Sequence, residues 1–83
     1  MDPLESYLQQ CQRHPAAIMP LNAFVAAFRE QLPPDLRPAW RRGRIVARLV
    51  ELGYKIGLIE RTNHVAGVAT GSWTASGGHL TLA

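Results

Sequence analysis

The chain has 83 residues, 47% of them hydrophobic and 18% charged, with a formal net charge of +3 and one cysteine. This is one globular domain rather than two, and not a disordered chain; a single cysteine excludes an internal disulfide and suits a reducing compartment. No apolar run approaches the ~18 residues that span a bilayer, and MDPLESYLQQ lacks the basic start and apolar stretch of a signal peptide, so the expectation is a cytoplasmic protein with no membrane partner, either free-standing or part of a longer parent polypeptide.

The first helix is expected from Asp2 onward. Asp2 suits the N-cap, Pro3 the first helical position, and Glu5 completes an Asp-x-x-Glu box. Leu4, Tyr7, Leu8 and Cys11 then make one apolar stripe, and the helix should end before Pro15. AAIMP, between two prolines, reads as a brief strand. A second helix spans Leu21 to Gln31, with Leu21, Phe24, Val25, Phe28 and Leu32 inward, and Pro33-Pro34 ends it. A turn of about six residues, LPPDLR, leads to a third helix, with Asp35 as its cap, Pro38 in its first turn and Gly53 just past its end. Beyond Gly53 the period changes to that of strands. YKIGLIE and HVAGVAT flank RTN, and a tight turn at Thr62-Asn63 would make them a two-stranded hairpin. Gly57 and Gly67 mark a bend or close packing in it. The domain therefore covers residues 1–70, and 71–83 read as a loop followed by a C-terminal tail or an extra strand.

Charge is unevenly placed. Residues 1–36 sum to −2, residues 37–55 to +5 and residues 56–83 to zero. Such a block of positive charge is the first requirement for binding a polyanion. At about 100° per residue, and with Arg37 taken as helical, Arg37, Arg41, Arg44 and Arg48 fall within about 60° of one another. Ile45, Val46, Leu49 and Val50 make a separate apolar face. Arg42 points about 140° from Arg37, among the apolar residues; either it snorkels off the first turn or the helix begins later. Trp40 flanks the arginine stripe, where it either packs on a sugar or base or closes the core from the side. The planar guanidinium fork suits phosphate and guanine edges, and a face meant only for solubility would alternate signs more than this one does.

The order helix, short apolar link, helix, turn, helix, hairpin resembles a winged helix-turn-helix domain. PLNAFVAAFREQL, RRGRIVARLVELGYKIG and HVAGV in particular resemble the small C-terminal winged-helix domain of phage- and plasmid-type primase–helicases. The resemblance implies an α+β fold of three helices followed by a two-stranded β-hairpin wing. It implies that the third helix is the recognition helix, with Arg37, Arg41, Arg44 and Arg48 facing nucleic acid. Arg61, Asn63 and His64 would lie on the wing, with Lys55 at the start of its first strand; Glu60 departs from a strongly basic wing.

Residue inventory argues against an enzyme. His14, His64 and His79 share no metal-ligand spacing with Cys11, the carboxylates occur singly, and ATGSWTASGG has neither a P-loop lysine nor a G-x-S-x-G elbow. No cofactor or metal is expected. The expected function is nucleic-acid binding, with duplex DNA as the default partner, in replication or regulation of a mobile genetic element. Trp40 would join the arginines at the contact. The alternative is a winged-helix module that docks a protein partner without binding nucleic acid, and a homodimer is compatible with either.

Overall fold

The structure is a computed structural model, and residues 2–70 of it are described. Helix α1 (Pro3–Gln10) leads to strand β1 (Gln12–Pro20), helix α2 (Leu21–Gln31), a 3-10 turn (Arg37–Ala39), helix α3 (Arg42–Glu51) and strands β2 (Lys55–Ile59) and β3 (Thr62–Ala69). The result is an α+β fold of three α-helices and a three-stranded antiparallel sheet in the order β1-β3-β2. The expected two-stranded hairpin is thus extended by a third strand, which gives it the additional support that an isolated hairpin lacks.

Local signals account for the helix ends. The Asp2 carboxylate accepts the Glu5 amide at 2.8 Å, as an N-cap should. Glu5 does not complete the box; its own carboxylate bonds Arg48. At the end of α3, Gly53 has φ +96°. The Gly53 amide donates to the Val50 carbonyl and the Tyr54 amide to the Leu49 carbonyl, both at 3.0 Å. This paired arrangement satisfies the last free carbonyls and favours glycine at that position.

Strand β1 is longer than AAIMP, because α1 stops at Gln10 and the chain is already extended at Gln12. Pro15 cannot donate to the ladder, and β1 bulges around it: residues 14–17 stand opposite Gly67 alone. The Ala16 amide turns to His14 Nδ1 at 3.0 Å instead. Gly67 has φ +97°, and a Cβ there would lie 3.3 Å from the Tyr54 ring, so both backbone and space call for glycine.

The core lies between the helices and one face of the sheet. Leu4 and Leu8 of α1, the five expected residues of α2 and its exit, Ile45 and Leu49 of α3, Met19 of β1 and Val65 and Val68 of β3 are all buried. Val50 is the exception to the expected apolar face of α3, at 56% exposed. An aromatic cluster runs through the centre: Tyr7 meets Phe24 and Phe28, and Phe28 meets Trp40 edge-on at 5.6 Å.

That last contact corrects the start of the third helix. Trp40 is only 3% exposed, and burying such a side chain counts for about 3–5 kcal/mol, against tenths of a kcal/mol for helix propensity at a few positions. The chain therefore leaves helical geometry at Trp40 (φ −114°, ψ 68°) and Arg41 and restarts at Arg42. Pro38 belongs to the 3-10 turn, the link between α2 and α3 is longer than six residues, and Asp35 caps neither helix.

The hairpin turn also differs from expectation. Ile59 pairs with Thr62, so Glu60 and Arg61 form the two-residue loop while Thr62 and Asn63 belong to β3. Both loop residues have positive φ, +50° and +68°, a geometry that favours Asn-Gly. The double variant Glu60→Asn/Arg61→Gly should gain about 1 kcal/mol or more, read as a higher urea midpoint at unchanged slope. An unmoved midpoint would show that the turn stores no strain.

Candidate nucleic-acid interface

The start of α3 gathers three exposed arginines in four positions. Arg41 is the N-cap residue in extended conformation, no side chain caps the helix, and the first turn contains no acidic residue. Arg42 Nε donates to Asn22 Oδ1 in the first turn of α2 at 3.2 Å. The Arg44 guanidinium lies over the Trp40 ring, 4.0 Å from its centroid, and its Nη1 donates to the Ala39 carbonyl at 3.0 Å. Cations at the positive end of a helix dipole are unfavourable on their own. Nothing nearby compensates: among the described residues every ion pair belongs to Arg48. The site is therefore a local excess of positive charge held in place by packing.

The four-arginine stripe itself does not form. Arg37 precedes α3, and its Nε and Nη2 donate to the Arg29 and Glu30 carbonyls at the C-terminal end of α2, at 2.9 and 3.1 Å. It adds a second donor to the Arg29 carbonyl, which also accepts the Leu32 amide, and supplies one to the Glu30 carbonyl, and it is turned away from the Arg41–Arg44 group. Trp40 is inside the core and presents no face to a base. Arg48 is held by three carboxylates: Nε on Asp2 at 2.7 Å, Nη1 on Glu51 at 3.2 Å and Nη2 on Glu5. Its charge is spent on joining α1 to α3. Arg42, set aside by the helical wheel, joins the cluster instead. Its odd angle was the available clue, since a helix that begins at Arg42 frees that side chain from the core.

The hairpin splits in the same way. His64 pairs with Pro20, the residue before α2, and Arg42 bonds Asn22 in the first turn of α2. His64, Asn63 and the Arg61 turn thus lie toward the end of the molecule that carries Arg41, Arg42 and Arg44. The His64 Nδ1–H donates to the Thr62 carbonyl at 2.8 Å, which assigns the ring proton to Nδ1, because a carbonyl only accepts. Lys55 is exposed but pairs with Ala66 at the opposite end of the hairpin.

Cys11 closes α1, its thiol donating to the Tyr7 carbonyl at 3.4 Å. Burial pushes its pKa up, against the opposing influence of Arg13, so it remains a thiol at neutral pH. No group of three His, Cys, Asp or Glu residues among the described residues could hold a metal ion, and no described helix is long and apolar enough to cross a membrane. Comparison with known proteins yields no relative: no family model, no curated protein and no solved structure matches the chain. Residues 71–83, read from sequence as a tail or extra strand, lie outside the described residues.

The Arg48 junction makes stability depend on acid. Burial alone would raise the Asp2 pKa, but the Arg48 hydrogen bond, the Glu5 amide and the Arg48 charge outweigh it and hold the carboxyl below its ordinary 3.8. A depressed carboxyl pKa stabilises the fold above its unfolded value, and that contribution is lost as pH falls through the folded one. Thermal melts from neutral pH down to about pH 2 should show a falling midpoint below about pH 4. Asp2→Asn keeps a capping oxygen but not the charge; it should start lower at neutral pH and fall less. Parallel curves for the two proteins would remove Asp2 from the junction.

Proposed function

We propose that the chain is a nucleic-acid-binding module of the winged helix-turn-helix kind, docking on DNA with the N-terminal end of α3 rather than with its whole length. The observation that carries this reading is the exposed group Arg41, Arg42 and Arg44, which no carboxylate among the described residues neutralises, at a helix start that no side chain caps. Free amides at a helix N-terminus and guanidinium groups both favour phosphate. Gly43 fits the same use. It lies in the first turn of α3, where a Cβ would meet nothing within 4 Å, so packing does not ask for glycine there. A glycine costs a helix interior about 1 kcal/mol against alanine, and the absence of a side chain lets a ligand approach the backbone. The element order and the helix-turn-helix-hairpin sequence support the winged-helix assignment. The resemblance to primase–helicase domains supports replication or regulation of a mobile element as the setting.

A second reading has its own support. Leu58 is 71% exposed, Val50 56% and Ile59 43%, and apolar side chains on a wing beside an acidic Glu60 suit a protein partner better than a phosphate backbone. Loss of partner binding in Leu58→Ser, with no DNA affinity at any salt concentration, would favour this reading.

Fluorescence anisotropy with a labelled DNA duplex at several salt concentrations tests the first reading. Three phosphate contacts give a log–log salt slope of about −2 to −3. Arg41→Asp should weaken binding and, by supplying the missing N-cap, raise stability by about 1 kcal/mol. Affinity that ignores salt, or that persists when Arg41, Arg42 and Arg44 are all alanine, would overturn the proposal.

A further inference from the structure

We infer that this end of the molecule holds duplex DNA by its backbone alone and does not read base sequence. The inference rests on the nucleic-acid reading above and specifies its ligand. A helix that reads bases must extend hydrogen-bonding side chains from its exposed surface to the groove floor. On α3 the exposed Gly43, Ala47 and Val50 have no side-chain donor or acceptor. Arg48, in the second half of the helix, has all three guanidinium nitrogens on carboxylates, and one of those is the only other polar group there, Glu51.

Two of the three arginines at the start of α3 are folded back on the protein, and the third, Arg41, stands at the N-cap ahead of the first helical turn. Arg44 lies flat on Trp40 with Nη1 on the Ala39 carbonyl, and Arg42 is turned to Asn22. Guanidinium groups held at the surface meet phosphates, which line the groove edges, before they meet bases. Single strands need a different surface, since sequence-tolerant binding to them relies on exposed aromatic faces. Among the described residues Phe24, Phe28 and Trp40 are buried, Tyr7 packs against two of them and Tyr54 is half-buried beside Gly67. Among the described residues, charge without a stacking face, on a helix whose exposed surface beyond its first turn has no unpaired donor to reach a base, is suited to the duplex backbone.

The test uses the full 83-residue chain and duplexes of one length and base composition in permuted sequence, together with each separated strand, compared at each of several salt concentrations. The permuted duplexes should bind within about threefold of one another with a common salt slope, and the single strands at least about tenfold more weakly. A duplex preferred by more than about tenfold would overturn the inference and leave the nucleic-acid reading intact. Single strands that bind as well as duplexes would overturn the choice of ligand. No binding to any of them at low salt would overturn the nucleic-acid reading itself, and this inference with it.

Discussion

The edge-on contact between Trp40 and Phe28 governs how the rest of the chain is arranged. With the indole in the aromatic cluster, the backbone breaks at Trp40 and Arg41 and resumes at Arg42 instead of running on from Arg37 as one helix. Two consequences follow from that break. Arg37 is released to bond the carbonyls at the end of α2, and the outer face of the indole becomes the platform for Arg44. A residue whose side chain is almost wholly buried thus determines where several exposed charges stand.

The arginines divide by their partners. Arg48 faces three carboxylates, two of them at the start of α1, and acts as a tie between the first and third helices. At about a quarter exposure for its side chain and those of Asp2 and Glu5, the junction is screened less than a surface pair but is not desolvated. Arg41, Arg42 and Arg44 have no such partners among the described residues and crowd the positive end of α3. Their mutual repulsion and the helix dipole oppose stability, and a polyanion would relieve both. Unfavourable local electrostatics of this kind are common where a fold is adapted to a ligand.

The sheet shows a comparable tension. Two residues with side chains occupy the left-handed conformations of the hairpin turn, although glycine or asparagine would fit with less strain. Pro15 forces a bulge into β1, and Gly67 accommodates it on β3 while leaving room for Tyr54. The turn adds nothing to the core and the bulge adds only Ala17, yet together they position the hairpin against α2 and bring its tip toward the basic end.

Sequence alone determined the elements whose signals are local. The Asp2 cap, the inward face of α2, its proline stop and the Gly53 exit all depend on neighbours within one or two helical turns, and each stands as the residues imply. The paired segments beyond Gly53 were legible for the same reason, but their turn was displaced by two residues, because Glu-Arg has no turn preference of its own. The strand at AAIMP was legible too, but tertiary structure alone decided its length and its pairing with β3, the break at Trp40 and the fate of each arginine. A helical wheel assigns direction only within one unbroken helix, and no spacing rule reveals that Asp2 and Glu5 approach Arg48 from more than forty residues away. Which cations are neutralised depends on how the helices pack, and that is determined by burial of the aromatic cluster rather than by the charges themselves.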